Sequence, residues 1–473
     1  MNGKRSVYSI LLIKLKETLR PTGFASPPLG VMSLAAYIRR KGGINVRIID
    51  MVVSKMTYAE LDRQIRLYNP DLVGISVMTY EAKGMHRVAQ LVKTWRQEVP
   101  VVVGGPHATS YPEDVLADRN VDLAVIGEGE VTFDELIDAI RNGGNLDEVR
   151  GIAYRCDGRV VFTPPRELIA DLDALPLPAW DLIPVRSYKN FGRFSRIGTR
   201  DYGVLFTSRG CPYRCVYCHR VFGKTFRAMS AARVFEDIRT LYTQYGIREF
   251  EVIDDVFNLD RQRTSDICEM IIRSGMKISL AFPNAVRGDI LDEDLIRKLA
   301  RAGTRFMTFA VETASPRLQK LIRKNLDLDK IRQNVPLALN EGIICAAFFM
   351  LGFPTETRQE MQATLDFAAQ LPVHFAHFFV VNAFKNTALA EWVAQMGKSV
   401  KTDCTKTYLT RDFDNLSDIP TEEFARMRSA GLRRFWINPS RVFRILRDYP
   451  DREKVPGLTI TFLKRLALHG QGV

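Results

Sequence analysis

The sequence predicts an α/β protein: an N-terminal doubly wound parallel sheet, a partial (β/α)6 barrel of the TIM type, and a small, mainly helical C-terminal region. Three observations predict it. Over residues 1–150, short apolar runs alternate with amphipathic stretches, the pattern of βαβ units. From 201 to 400 the alternation returns, with six strand patterns separated by helical ones. At the head of that second block, Ser208-Arg-Gly-Cys-Pro-Tyr-Arg-Cys-Val-Tyr-Cys218 sets three cysteines at CxxxCxxC spacing, directly after the apolar run Val204–Thr207.

A chain of 473 residues exceeds one ordinary core, so two or three domains are expected. The pattern divides into 1–150, a connector over 151–200, a barrel over 201–400 and a helical cap over 401–473. An apolar fraction of 46% and a charged fraction of 26% suit a soluble globular protein. No uninterrupted apolar run is long enough to span a bilayer, and the N-terminus lacks the apolar core and cleavage site of a signal peptide. A cytoplasmic location is the expectation. Seven cysteines, three of them on one loop, point to metal binding in a reducing compartment. Cys156, Cys268, Cys345 and Cys404 read as reduced structural residues. The net charge of +13 suits a partner bearing phosphate or carboxylate groups, or an anionic membrane surface. Basic residues are spread along the chain and no nucleic-acid-binding motif appears, so nucleic acid is not an expected partner.

In chain order, Tyr8–Leu15 reads as a strand and Leu29–Lys41 as a helix ended by Gly42-Gly43. Strands are expected at Asn45–Met51, Leu72–Met78, Val101–Val103 and Leu123–Ile126. Helical patterns at Tyr58–Tyr68, Gly84–Glu98, Tyr111–Asp118 and Thr132–Asn142 separate or follow them. Parallel sheets of this kind bind ligands at the carboxyl ends of their strands. Ser76-Val-Met-Thr79, Gly104-Gly105-Pro-His107 and Gly127-Glu-Gly-Glu130 stand there. Glycines let backbone approach a large ligand, and the hydroxyls offer hydrogen bonds to a buried polar tail. Each stretch taken singly could equally be a plain loop.

Gly151–Arg155 and Arg159–Phe162 flank Asp157-Gly158, a good hairpin turn. The proline-rich stretch Leu172–Asp181 then fixes an extended path. Barrel strands are expected at Val204–Thr207, Glu249–Ile253, Lys277–Phe282, Thr304–Val311, Ile344–Met350 and His374–Val381, and after the cysteine loop Ser230 precedes an amphipathic helix running to Tyr245. Barrel sites lie at the strands' C-terminal ends. There, Asp254-Asp255 could act as acid and base, bind a cation, or satisfy helix amides. Arg287 could grip a carboxylate through its fork or form a solvated ion pair. Thr421–Trp436 reads as an amphipathic helix broken by Asn438-Pro439. Ser440–Arg447 and Leu458–His469 carry apolar positions beside Arg and Lys, which fits a helical cap or a basic helix touching a membrane.

Three clustered thiolates could hold a [4Fe–4S] cubane, leaving one iron open to a chelating small molecule. A zinc site completed by His219 or a distant Cys, or reduced core residues, are the alternatives on spacing alone. CxxxCxxC is not the usual CxxC knuckle, and no second CxxC pair exists in the chain.

The loop resembles, almost residue for residue, the cluster loop of the radical S-adenosylmethionine (radical SAM) superfamily. The resemblance implies that Cys211, Cys215 and Cys218 bind the cluster, with Tyr217 beside the third ligand. It implies that Asp254 and Asp255 meet the methionine ammonium of SAM and Arg287 its carboxylate. Glu312, in a stretch similar to the superfamily's Gly-x-Glu-Ser with Ala310 replacing the glycine, would meet the ribose. Gly352, Phe353 and Pro354 would turn against the adenine.

Residues 1–150 resemble the Rossmann-like cobalamin-binding domain that precedes the barrel in one large radical SAM class. Pro27-Pro28-Leu29-Gly30 and Gly127-Glu-Gly-Glu130 carry that resemblance, and 172–181 is similar to the linker of the class. It implies cobalamin contacts from Leu29, Gly30, Ser76, Thr79, Gly104, Gly105, His107, Gly127, Glu128 and Gly129. The Asp-x-His-x-x-Gly loop that ligates cobalt in mutases is missing; Lys16–Gly23 stands there instead. The cobalamin tail is therefore expected to be buried without a His ligand to cobalt from that loop. His86 and His107 read as packing or amide-contact residues.

Together these resemblances imply an oxygen-sensitive, cobalamin-dependent radical SAM enzyme whose cofactors are a [4Fe–4S] cluster, S-adenosylmethionine and cobalamin. The commonest reaction of the class is methyl transfer to an unactivated carbon through methylcobalamin and a 5′-deoxyadenosyl radical. Cyclisation or rearrangement of a lipid, tetrapyrrole or natural product is the main alternative, and a cluster- and corrinoid-based sensor is the alternative of another class. Methylthiolation fits poorly, since no second cysteine trio appears. The expected partners are a small-molecule or lipid-like substrate and an electron donor such as flavodoxin or ferredoxin, with peripheral contact at the inner face of the membrane allowed by the basic tail.

Overall fold

The computed structural model describes residues 7–16, 24–195, 197–398 and 414–450. The chain forms two compact units: one runs to Gly192 and includes Val221–Gly223, the other comprises Arg193–Arg220 and everything from Lys224. The loop over 17–23, Cys404 and the helical pattern Leu458–His469 lie outside the described residues.

In the first unit the elements follow as β1 (Tyr8–Lys14), α1 (Leu29–Ile38), β2 (Ile44–Asp50), α2 (Tyr58–Tyr68), β3 (Leu72–Ser76), α3 (Ala82–Trp95) and β4 (Val101–Gly104). Two short helices, α4 (Pro106–Ser110) and α5 (Pro112–Ala117), precede β5 (Leu123–Val125), α6 (Gly129–Asn142), β6 (Ile152–Cys156) and β7 (Arg159–Phe162). The sheet order is β2-β1-β3-β4-β5-β6-β7, with the first five strands parallel. Helices cover both faces of such a sheet, which is why its strands read as unbroken apolar runs; Leu11, Ile13, Val73, Ile75, Val101 and Val103 are all buried in one core. Strand order reverses between β1 and β3, and ligands enter this kind of sheet at such a reversal.

The hairpin expected in the connector belongs to this sheet. Val125 pairs antiparallel with Ile152, so β6 covers the free edge of the three-residue β5. An uncovered edge presents unpaired amides and carbonyls, and burial of Ile152 and Ala153 adds an apolar reason. Asp157 and Gly158 both adopt positive φ, 48° and 78°, as the two-residue turn requires.

The second unit begins with β8 (Tyr202–Leu205) and a two-residue ribbon, β9 (Ser208–Arg209) with β10 (Arg227–Ala228). Then come α7 (Ala231–Gln244), β11 (Glu249–Val252), α8 (Arg261–Ser274), β12 (Ser279–Val286), α9 (Glu293–Arg301) and β13 (Thr304–Glu312). They continue as α10 (Pro316–Leu321), α11 (Leu328–Asn340), β14 (Ile344–Leu351), α12 (Arg358–Gln370), β15 (Phe375–Val380), α13 (Ala388–Gln395), α14 (Thr421–Trp436) and α15 (Pro439–Asp448). Six parallel strands, β8-β11-β12-β13-β14-β15, form the partial barrel in sequence order.

The terminal helices are fastened to the barrel's outer layer by Arg441, whose side chain is almost wholly buried. Its guanidinium donates to the carbonyls of Leu371 at 2.8 Å, Val373 at 3.0 Å and Phe435 at 2.6 Å, and to Ala368 and Ala369 at the end of α12. It lies 3.5 Å from the Phe435 ring centroid. Arg441→Met keeps the apolar stem and orphans these carbonyls, so it should lower unfolding stability by about 3 kcal/mol. Urea titration is the measurement. Arg447→Met, which removes only an exposed pair with Asp448, should change stability by less than about 0.5 kcal/mol.

Candidate functional site

The cysteine loop leaves β8 through a neck built from buried polar groups. Asp254, just past β11, accepts hydrogen bonds from the Thr207 amide, the Thr207 hydroxyl and the Ser208 hydroxyl, each at 2.6 Å. Burial pushes its carboxyl upward, and Arg263 and these donors oppose that. Arg263 of α8 donates to the Thr207 carbonyl at 3.0 Å and its hydroxyl at 2.7 Å. Asp255 instead faces the loop, accepting from the Gly210 amide at 3.2 Å; Gly210 itself sits at φ 79°, where a Cβ is disfavoured. The acidic pair that the sequence treats as one ligand set is thus split. Asp254 is consumed in holding the neck, and only Asp255 remains at the loop.

Within the loop, Cys218 N donates to the Cys215 carbonyl at 3.3 Å, and Val216 N to the Ile322 carbonyl at 3.0 Å. The Cys215 thiol is held down at about 6, chiefly by a hydrogen bond from Cys218, and Cys218 is pushed up in return. Burial raises Cys211. Ligand thiolates of one zinc must converge on a point, whereas each thiolate of a cubane takes a different iron. The loop offers three thiols together, Cys211 and Cys218 each interacting with Cys215. That donor set fits a [4Fe–4S] cluster with one open corner. Tyr217 packs its ring 5.9 Å from that of Phe353, and burial, with Glu312 and Cys215 nearby, raises its hydroxyl well above the usual phenol range.

Lys324 was not legible beforehand. The turn after α10 carries positive φ at Arg323 (56°) and Asn325 (49°), which swings Lys324 inward to Glu312 at 3.4 Å, both side chains being nearly buried. Burial pulls the Lys324 ammonium down, but Glu312, Cys215 and Cys218 outweigh it and the net shift is upward. A lysine beside the sulfurs places positive charge against an anionic cluster. Only the spacing from Cys218 to the α10 turn relates the two in sequence, and no pattern there announces contact.

Glu312 closes β13 at φ 67°, with a register shift against β14 between Ala310 and Glu312. Such strain costs about 1–3 kcal/mol and concentrates where a side chain must be aimed. Arg287 is different from expectation. Its fork is taken by Asp289, at 3.0 and 3.1 Å, and it also donates to the Asn325 carbonyl at 3.0 Å while stacking 3.8 Å from the Tyr213 ring. It braces the Lys324 turn, so it is not poised to grip a ligand carboxylate. Past β14, Gly352 has φ 91°, and Phe353 is buried. Glu356 accepts from the amides of Gly352 and Phe353, which shapes the Gly352-Phe353-Pro354 turn. Its other oxygen has no partner, and burial raises its carboxyl to about 7.

In the first unit, Ser76 ends β3 opposite Lys14 of β1, at the reversal of strand order. Thr79 opens a short 3-10 turn, and Gly104 ends β4. Gly105 sits at φ 95°, where a Cβ would stand 3.1 Å from the Val77 amide and carbonyl and 3.2 Å from Ser76 Oγ. Gly127, at φ 81°, would meet nothing with an added Cβ, and its amide donates to the Thr109 hydroxyl at 3.0 Å. His107 is buried against Tyr111, and its Nδ1 lacks a partner. Burial lowers its basicity, keeping the imidazole neutral. An orphaned neutral imidazole beside open glycine backbone fits a ligand with amide groups, as cobalamin has. Leu29 and Gly30 open α1, and Gly129 opens α6. Glu128 is engaged elsewhere: it accepts from the Ile169 amide at 2.7 Å and ties down the following segment. His86 is bound to Asp118 at 2.8 Å.

Family models match both halves of the chain. The model of the B12 binding domain matches residues 18–137, and that of the radical SAM superfamily residues 205–368. An uncharacterized methyltransferase of Pyrococcus horikoshii is 34% identical over 424 residues, covering 89% of this chain and 90% of that protein. The cytidylyl-2-hydroxyethylphosphonate methyltransferase of Streptomyces wedmorensis is 28% identical over 421 residues, 78% of each chain. The solved radical S-adenosylmethionine methyltransferase TsrM from Kitasatospora setae shares the fold at a TM-score of 0.67 and 20% identity, over 82% of this chain and 76% of that one. The chain belongs to the radical SAM superfamily, among the enzymes that carry a B12-binding domain ahead of the barrel. Its cofactors are a [4Fe–4S] cluster, S-adenosylmethionine and cobalamin.

Two expectations follow from the site. Glu356 keeps its proton in the folded chain between 4.5 and about 7, where the unfolded chain has lost it. Its contribution to stability is therefore complete below the lower value and drains away as pH rises through the upper one. Glu356→Gln fixes the neutral form, so urea midpoints measured across that window should lose this downward slope. Gly105→Val forces a branched side chain into a left-handed position against β3, and equilibrium dialysis should show cobalamin affinity falling about tenfold or more.

Proposed function

We propose that this protein transfers a methyl group to an unactivated carbon of a small or lipid-like molecule. The observation that carries the proposal is one chain holding both a three-thiol loop beside Lys324–Glu312 and a glycine-opened strand-end cradle around His107. When bound, the cluster and S-adenosylmethionine supply a 5′-deoxyadenosyl radical, and cobalamin supplies a carrier for the methyl group. The similarity to methyltransferases supports this assignment.

The chain's own part is binding, aiming and exclusion of water. Cys211, Cys215 and Cys218 are the proposed cluster ligands, and Asp255 is the proposed partner of the SAM ammonium. Glu312, aimed by its strained backbone, meets the ribose, and the Gly352-Phe353-Pro354 turn lies on the adenine. Lys324 takes the role first expected of Arg287, presenting a cation to the carboxylate end. Ser76, Thr79, Gly104, Gly105, His107 and Gly127 receive the corrinoid. The sheet containing residues 1–150 is the corrinoid-binding part and the barrel within 201–400 the radical-forming part. An acidic electron donor of the flavodoxin or ferredoxin kind suits the surplus of basic residues. No helix among the described residues is long and apolar enough to cross a membrane. Ile437, Phe443 and Leu446 are 50–65% exposed beside Arg433, Arg444 and Arg447, which supports peripheral contact with an anionic bilayer.

Anaerobic reconstitution with methyl-labelled S-adenosylmethionine, cobalamin and a low-potential reductant tests the assignment. Iron bound to the chain, label on cobalamin and release of 5′-deoxyadenosine are the expected results. Cys215→Ser should lose most of the iron while retaining cobalamin. One zinc and no iron per chain would overturn the cluster, and deoxyadenosine formed without label ever reaching cobalamin would favour cyclisation or rearrangement.

A further inference from the structure

The cysteine loop rests on the turn after α10. Val216 N donates to the Ile322 carbonyl at 3.0 Å, and the Cys215 thiol donates to the Arg323 carbonyl at 3.7 Å. That turn is therefore in direct contact with a sulfur of the loop. It is fixed from within: Leu318 and Ile322 are buried, and the amides of Lys324 and Asn325 donate to the Gln319 carbonyl at 3.0 and 3.1 Å. Arg287 holds the Asn325 carbonyl. With Arg323 and Asn325 both left-handed, Lys324 turns inward to Glu312, while Arg323 itself is exposed.

The two segments in contact are alike in charge. Residues 211–220 contain Arg214 and Arg220 and no Asp or Glu; residues 316–325 contain Arg317, Lys320, Arg323 and Lys324 and again no Asp or Glu. The whole chain carries 67 basic and 54 acidic residues, so segments of mixed sign would be the ordinary result. Acidic residues resume at Asp327 and Asp329. Two of the six cations serve the fold, Lys324 beside Glu312 and Arg317 paired with Glu360. Arg214, Arg220, Lys320 and Arg323 are exposed, and Leu321 is 37% exposed beside Lys320. Water and salt screen exposed charges from groups more than about 8–10 Å away. Their larger effect is on what approaches from solvent.

We propose that Arg214, Arg220, Lys320 and Arg323, with Leu321, form the docking surface for a small acidic protein that carries one electron. The donor is oxidised by one electron and the cluster held on the cysteine loop is reduced by one; no covalent bond forms or breaks in this step. Redox partners of this kind bury little area and depend on charge for their encounter, which suits exposed cations about one apolar side chain. What favours a redox protein over another polyanion is that the same turn touches the Cys215 sulfur. The inference rests on the enzymatic reading above and names the face through which its electron enters.

The test is binding of the full-length, reconstituted holoenzyme to fluorescently labelled flavodoxin, followed by anisotropy. A [2Fe–2S] ferredoxin is the second acidic carrier, and cytochrome c is the basic one-electron control. Expected is saturable binding of one acidic carrier per chain, weakened about tenfold or more between 50 and 200 mM salt, with cytochrome c at least about tenfold weaker. Lys320→Glu/Arg323→Glu should weaken carrier binding about tenfold or more at unchanged iron per chain. Should that variant lose iron, Arg220→Glu carries the same test from the other segment. Arg273→Glu/Lys277→Glu makes an equal change in net charge at exposed positions before β12, and should bind within about twofold of the parent. Failure of both acidic carriers to bind, or equal losses in the two double variants, would overturn the proposal. So would poly(dT) or phosphatidylglycerol vesicles binding as tightly as the carriers and lost in the same variant. Deoxyadenosine release under dithionite, which needs no docking, is measured alongside. Its absence beside intact carrier binding sinks the enzymatic reading alone, and its presence without carrier binding sinks only the docking surface.

Discussion

A buried carboxylate governs the architecture of the reactive end of this protein. Asp254 has lost its water, and a lone desolvated carboxylate would cost several kcal/mol. Hydrogen bonds from Thr207 and Ser208, with Arg263 nearby, make it tolerable. Because those donors belong to the first residues beyond β8, the same bonds fix where the cysteine loop starts. The β9–β10 ribbon then pins the loop at both ends of its neck. Metal-binding loops must hold their thiols without the metal's help before it arrives, and here strand ends do that work.

Polarity is graded along the barrel in a way that separates two tasks. Near the strand ends, Asp255, Glu312 and Lys324 lie close to the cysteine loop and suit a zwitterionic, ribose-bearing cofactor. Glu312 and the flanking residues of Lys324 all adopt positive φ, so backbone energy is stored in aiming this pair. Deeper in, Phe348, His377 and Phe379 pack ring against ring above a buried apolar floor. Radical chemistry at an unactivated carbon needs water kept away from the reacting atoms, and a buried apolar floor meets that need.

The sequence carried the fold well and the site unevenly. Apolar periodicity marked α2 and α14 to the residue and α7 with its caps, Ser230 and Tyr245, because this signal is local. The hairpin was recognised but its partner was not; pairing with β5 depends on a neighbour about thirty residues away whose exposed edge no local pattern records. Asp254 and Asp255 look alike as a pair of letters, yet one strand end aims them into different surroundings. Arg287 was legible as a cation and not as a brace, since Asp289 claims its fork only once β12 has turned. Lys324 was missed because its position depends on two left-handed residues in a turn that reads as ordinary.

What the amino-acid string determined by itself is the class of chemistry: CxxxCxxC after an apolar run, and glycines at the ends of parallel strands, are requirements of covalent geometry and close backbone approach that a linear pattern expresses directly. Which charged group is spent on structure and which is left for a ligand was decided only by tertiary contacts. The physical reason is that a carboxylate or guanidinium takes its role from the partners and the dielectric around it, and those are supplied by strands and turns distant in sequence.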